Sequence, residues 1–208
     1  LVCRDSLSEY EVERVRQKIL HGMNRQAWKR YTSGGSWFYE ITERGYKYNL
    51  TDIAAALGIV QLKKIDRLAE QRNLLLSAYR EALLPLAEWC EIYKPWKNIT
   101  KTSKTALHIM AVYLKSTKNI KKNMEQRAFV IEYLKNRGIA CSVHYTPLHR
   151  MPYYRDKYKL NEKDFPVTDD FCSREISLPF FPAMKVEQVQ TVAQTLREAF
   201  ESKEFRNI

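Results

Sequence analysis

Two short stretches of this chain hold residues that could do chemistry. In "GYKYNL", Lys47 and Asn49 stand just ahead of a helix start marked by Thr51 and Asp52. A helix N-terminus offers unpaired backbone N–H groups and the positive end of the helix dipole. An ammonium and an amide beside it suit such a place to phosphate. The same residues also read as a lysine in solvent and an asparagine in a turn. In "SVHYTPLHRMPYY", residues 142–154, His144 and Tyr145 close a strand pattern, and His149 and Arg150 sit in the loop that follows. Strand ends and the loops after them are where ligand-binding groups project. These side chains can bond phosphate or sugar hydroxyls, and a polar surface loop is the equal alternative. His144 and His149 straddle Pro147 with no third ligand nearby, so no metal is expected.

The other candidates read as structural. His108 opens an apolar run and is expected to be a satisfied core histidine. His21, in "LHGMNR", is expected near a helix C-terminus, where a cation suits the dipole. Cys3, Cys90, Cys141 and Cys172 are widely spaced, with no CxxC pair. They imply neither a zinc site nor a disulfide framework, and point to a reduced, cytoplasmic setting. No GxSxG, P-loop, GxGxxG or paired-carboxylate pattern is present.

A net charge of +11 admits nucleic acid, an anionic membrane surface or a phosphorylated substrate. The basic residues are interleaved with acids, as in "RDKYKLNEKD", and there is no Arg-rich arm or RNP-like motif. A solvated surface is the first reading, an anionic small molecule the second, and nucleic acid the least supported. The longest apolar run, "AAALGIV", falls far short of the roughly 18 residues that span a bilayer, so no membrane partner is expected.

The elements that must position these residues follow from periodicity. "SEYEVERVRQKILHG", residues 8–22, reads as a helix with a Ser8–Glu11 capping box, an apolar face of Val12, Val15 and Ile19, and a cap at Gly22. Residues 23–50 form a long aromatic connection with a possible hairpin through "SWFYEIT". From Thr51 as N-cap, an unbroken helix of about 33 residues can run to the Pro85 region. Its first turns, Ile53 to Val60, are apolar all round, which predicts burial on every side. Leu62, Ile65, Leu68 and Ala69 form a stripe further on. After residue 88, "CEIYKP", "HIMAVYL", "IACSVHY" and "ISLPFFP" read as strands. "KNMEQRAFVIEYLKNRG", "YRDKY", "FPVTDDFCSRE" and residues 184–203 read as helices. The expected organisation is an interface segment at 1–50, a connecting helix at 51–87 and a small α+β domain at 88–208, with helices on one face of a sheet. The chain opens on "LVC", a strand pattern without an initiating Met, and reads as part of something longer.

"GYKYNLTDIAAALGIVQLKKIDRL", "RGIACSVHYTPLHRMPYYRDKY" and "ISLPFFPAM" together resemble the DegT/DnrJ-type sugar aminotransferases, enzymes that use pyridoxal phosphate (PLP) to aminate nucleotide-linked keto-sugars. The resemblance runs nearly the whole length. It is strongest to the subgroup that acts on a UDP-4-keto-pentose in the making of the aminoarabinose of lipid A. It implies an α/β fold: the end of a fold-type I large PLP domain, then a small domain with a mostly antiparallel sheet. It also implies a homodimer or higher oligomer with sites at the subunit interface, a nucleotide-sugar substrate and an amino donor, glutamate by expectation. Lys47 and Asn49 match positions that reach the cofactor phosphate, although many members carry Asn where this chain has Lys47. His144, Tyr145 and His149 match positions near the nucleotide-sugar.

The family's Schiff-base lysine, the residue stacked on the cofactor ring and the acid paired with its nitrogen match positions upstream of "LVC". This portion alone is therefore expected neither to hold PLP nor to turn over. The alternatives are a PLP-free module that binds anionic sugars or nucleic acid, and a portion of a related sugar dehydratase.

Overall fold

The computed structural model describes residues 6–23, 39–92 and 106–208. The "LVC" strand, the start of the "SWFYEIT" hairpin and the end of "CEIYKP" lie outside them. The chain forms two compact units, residues 1–63 and 64–208.

In the first unit, helix α1 spans Glu9–Lys18 and carries the expected capping box: the Ser8 hydroxyl accepts from the Glu11 amide, and the Glu11 carboxylate accepts from the Ser8 amide at 2.8 Å. The helix stops at Ile19, short of the predicted Gly22. The reason is a competing set of backbone bonds. The His21 amide donates to the Tyr46 carbonyl (2.8 Å), Tyr46 to Lys18 (2.7 Å) and Tyr48 to Ile19 (2.8 Å). His21 and Gly22 turn the chain with φ of 60° and 75°, so His21 is an exposed turn residue and not a helix-end partner.

This pairing holds the Lys47 loop, and it needs two glycines in close approach. A Cβ at Gly22 would meet the Glu43 carbonyl oxygen at 1.8 Å, and one at Gly45 would meet the Gly22 nitrogen at 2.1 Å. Gly22→Ala should therefore release the loop, with Tyr46 and Tyr48 amide exchange speeding up by about tenfold or more while the second unit keeps its protection. Unchanged exchange at both tyrosines would contradict it.

Helix α2 spans Asp52–Leu83, 32 residues, and Thr51 caps it, its hydroxyl accepting from the Ala54 amide at 3.3 Å. The expectation of all-round burial for its first turns fails within this chain. Ile53 is 78% exposed, Leu57 63% and Val60 46%, and Leu62 and Ile65 are exposed too. Each keeps about half or more of its surface bare. The buried stripe lies later, at Leu75, Leu76, Tyr79 and Leu83.

The second unit is built on an antiparallel sheet of β1 (Cys90–Ile92), β2 (Met110–Leu114) and β3 (Glu175–Leu178), in that order. Alternation along the strands sends Met110, Val112, Leu114, Ile176 and Leu178 to one face. There they pack with the α2 stripe, with Val130 and Leu134 of α3 (Ile120–Lys135), and with Val189, Val192, Leu196 and Phe200 of the later helix Val186–Glu201. Two shorter helices lie between α3 and that helix: α4 (Pro152–Tyr158) and α5 (Pro166–Arg174). Each starts on proline, which suits a first helical turn. The helix Val186–Glu201 is thus α6. It stops sooner than predicted because Ser202 breaks it and caps α7 (Lys203–Asn207), which turns Phe205 onto Phe200.

"IACSVHY" does not form the predicted fourth strand. It pairs with β3 only at Ser142 and Ser177, which exchange both backbone bonds (3.1 and 2.8 Å). The next amide that a ladder could use, on His144, is taken at 2.8 Å by the side chain of Glu175. Helices α2, α3 and α6 pack on the apolar face of this sheet, which gives the expected α+β layer, while Phe171 of α5 lies on Tyr113 of the other face. No helix among the described residues is long and apolar enough to cross a membrane.

Candidate functional site: the groove at His144 and Tyr145

The sheet face away from the core is polar at Glu175 and Ser177, and there the second unit opens a groove of about 400 Å³. It is lined by His108, Cys141, Ser142, His144, Tyr145 and Phe180 among others. The Ser142–Ser177 bridge sets the height of the segment that carries His144, and Glu175 fixes its amide. The imidazole is held as well, with Nδ1 2.6 Å from the Ser177 hydroxyl, and that hydroxyl donates to Glu175 Oε1. Tyr145 stands edge-on to the imidazole, with ring centroids 4.7 Å apart, and is 69% exposed. On the floor of the sheet, the Tyr79 hydroxyl of α2 donates to the Pro179 carbonyl at 2.7 Å. That bond ties the helix to the segment that carries Phe180.

Glu175 is 3% exposed, and a carboxylate so placed needs compensation. The His144 amide and the Ser177 hydroxyl supply hydrogen bonds, and Arg127 supplies charge. Burial pulls the Arg127 guanidinium below its ordinary value, while the nearby Glu175 pushes it back. Arg127 also donates to the Cys172 carbonyl. Cys141 faces the groove, but burial pushes its thiol up to about 11, and that of Cys90 up to about 12. Neither is a thiolate at neutral pH, as nucleophilic chemistry would need.

His108 departs from its expected place in the core. It is exposed on the groove rim. The preceding Leu107 adopts φ 41° and takes the buried position, and the pleat starts only at Met110.

His149 and Arg150 form a second cluster. His149 is buried, with its ring stacked on Phe165 at 4.5 Å. Its Nε2 lies 2.8 Å from Asp169 Oδ1. Arg150 grips the same carboxylate with two bonds of 2.7 and 2.9 Å. His144 and Tyr145 thus share the groove, while His149 faces inward and braces the loop after it.

Lys47 and Asn49 belong to the first unit. The Lys47 backbone bridges to Leu20, and its side chain is exposed with no ion pair among the described residues. Asn49 is half-buried. Tyr46 and Tyr48 stack in parallel at 5.1 Å on either side of Lys47 in sequence.

The sequence reading passed over Glu175, Ser177 and Asp169. The first two carried a signal: in "REISLP" they alternate with Ile176 and Leu178, which marks a polar face on an otherwise apolar strand. Asp169 carried none, because its partners lie about 20 residues away.

The fold of the chain is that of the sugar aminotransferases. It matches the putative sugar aminotransferase Spr1654 of Streptococcus pneumoniae in its PMP-form with a TM-score of 0.80 and 26% identity, over 96% of this chain and 47% of that one. It matches Helicobacter pylori PseC, an aminotransferase involved in the biosynthesis of pseudoaminic acid, with a TM-score of 0.75 and 23% identity, over 93% of this chain and 47% of that one. In sequence it is 39% identical over 191 residues to the uncharacterised protein MJ1066 of Methanocaldococcus jannaschii, covering 92% of this chain and 47% of that protein. It is 33% identical over 187 residues to the spore coat polysaccharide biosynthesis protein SpsC of Bacillus subtilis, covering 89% and 46%. Residues 5–197 match the DegT/DnrJ/EryC1/StrS aminotransferase family, and the chain belongs to that family. It spans about half the length of the curated relatives it matches.

Proposed function

We propose that this chain is the C-terminal portion of a PLP-dependent aminotransferase that moves an amino group, from glutamate, onto a nucleotide-linked keto-sugar. A UDP-4-keto-sugar destined for a cell-surface polysaccharide or for lipid A is the substrate of this reading, with the aminoarabinose-forming subgroup as the nearest type. The family match over residues 5–197 carries the reading. The groove supports it: an imidazole and a phenol at the rim of a polar sheet face suit a polyhydroxylated ligand.

PLP, when bound, supplies the electron sink that lets an amine be exchanged for a carbonyl. In this reading Lys47, Asn49 and the start of α2 receive its phosphate. The donor set fits that end of the cofactor: an ammonium free of any ion pair among the described residues, an amide, and a helix N-terminus. His144 and Tyr145 orient the sugar, and His149 holds the loop through Asp169. The boundaries at 1–50, 51–87 and 88–208 remain the domain organisation of the proposal.

The reading is tested by mixing the chain with PLP, glutamate and a UDP-4-keto-sugar. The expected result is no release of 2-oxoglutarate. Turnover, or a cofactor absorbance band lost on replacing one lysine, would overturn the assignment of the amine chemistry to residues outside this chain.

The assembly in this reading is a homodimer or higher oligomer that covers the apolar start of α2. Leu57→Asp and Val60→Asp should change the unfolding free energy of the chain itself by no more than about 0.5 kcal/mol, since both side chains are exposed in it. They should shift its sedimentation toward monomer. Loss of folding in either variant, or sedimentation identical to the parent, would contradict this part.

A further inference from the structure

The bonds behind His144 decide what its free nitrogen can recognise. Ser177 has one hydroxyl proton. Glu175 accepts twice, with Oε2 from the His144 amide at 2.8 Å and Oε1 from the Ser177 hydroxyl, the pattern of an ionised carboxylate. Arg127 adds positive charge nearby. With its proton committed to Glu175, Ser177 can only accept from the imidazole, 2.6 Å away. The proton of neutral His144 then sits on Nδ1. Nε2 has no partner among the described residues, and the ring lines the groove.

We propose that Glu175 and Ser177 are positioning residues that hold the His144 proton on Nδ1, so that Nε2 meets the groove as a hydrogen-bond acceptor and selects a ligand hydroxyl over a phosphate oxygen. A hydroxyl can donate to that nitrogen. A phosphate oxygen with no proton meets it lone pair to lone pair, and its place is elsewhere. Ser177 and Glu175 are 5% and 3% exposed, so water does not compete for the relay, and a charge-assisted chain of this kind is the stronger sort of hydrogen bond. The choice of hydroxyl over phosphate rests on reading the groove as a sugar site; the proton position does not.

Long-range proton–nitrogen correlation spectra of the ¹⁵N-labelled chain at neutral pH read the tautomer directly. In the parent, His144 should show Nδ1 protonated and Nε2 bare, by roughly tenfold or more. Ser177→Ala should move the proton largely to Nε2, and Ser177→Thr, which keeps the hydroxyl, should return it. Glu175→Gln should also release the proton, and it serves if Ser177→Ala fails to fold. A parent with Nε2 protonated, or a Ser177→Ala chain with Nδ1 still protonated, overturns the relay. Adding a UDP-linked hexose should shift the bare Nε2 as an accepting nitrogen shifts, and dimethyl phosphate, an anion with no hydroxyl, should not. If the tautomer is as stated but the sugar leaves Nε2 unmoved, the hydroxyl selection is overturned together with the sugar reading of the groove, while the proton position stands.

Discussion

Replacing Asp169 by alanine is expected to cost the chain about 3–5 kcal/mol of unfolding free energy at neutral pH. The carboxylate is 8% exposed and carries three bonds: two from Arg150 and one with His149. Its removal leaves a buried imidazole without a partner and a guanidinium with only Glu162, at 3.3 Å, as a counter-charge. Unpaired buried polar groups are costlier than a missing contact. The effect depends on pH with a definite sign. The bonds from Arg150, aided by His149 and opposed by burial, hold the Asp169 carboxyl below its ordinary value of 3.8. The folded chain therefore gives up this proton more readily than the unfolded one. The contribution is complete above the ordinary value and is lost as pH falls from there through the lowered one. The gap between parent and variant should begin to narrow as pH falls below about 4. Urea unfolding at neutral and acid pH measures both. A loss under about 1 kcal/mol at neutral pH, or a gap that widens in acid, would contradict the account.

Phe200→Ala should cost a similar amount, about 3–5 kcal/mol, for a different reason. Phe200 is fully buried, with its ring stacked on Trp89 at 5.7 Å and set against Phe205 at 5.3 Å. It joins α6 to the start of β1 and to α7. A buried site of this kind relaxes only in part, so a cavity term adds to the lost transfer energy. Leu74→Ala is the control, because that leucine is 62% exposed and should change stability by little. Chemical denaturation of the two variants side by side decides it. Equal losses would mean that the helix faces have been assigned wrongly.

How much of this was legible in the sequence depended on how local the cause was. The Ser8–Glu11 box, the Thr51 cap, the short helix in "FPVTDDFCSRE" and the period of α6 are set by near neighbours, and the sequence reading placed them. What it misplaced was decided at a distance. Helix α1 stops early because the amides of Tyr46 and Tyr48 take its last carbonyls, on Lys18 and Ile19. "IACSVHY" fails as a strand because the side chain of Glu175 takes the amide of His144. The start of α2 has the composition of a buried helix, yet within this chain it is exposed, because composition marks an apolar face and does not place its cover. Of the candidate site residues, His144 and Tyr145 meet in one groove. His149 turns inward, and no local pattern announced Asp169 as its partner. The family resemblance rested on three segments read together, and it named the chemistry that no single segment could.

The account's central claim is that the groove at His144 and Tyr145 receives the sugar nucleotide. Titrating the ¹⁵N-labelled chain with a UDP-linked hexose, while following every backbone amide, tests it most directly. The account predicts saturable shifts at residues 139–145 and 177–180, with millimolar or tighter affinity of about 4 kcal/mol or more. His144→Ala should abolish them while the remaining spectrum stays in place. Shifts scattered over the basic surface that vanish with added salt, or no shift in the groove at saturating sugar nucleotide, would contradict it.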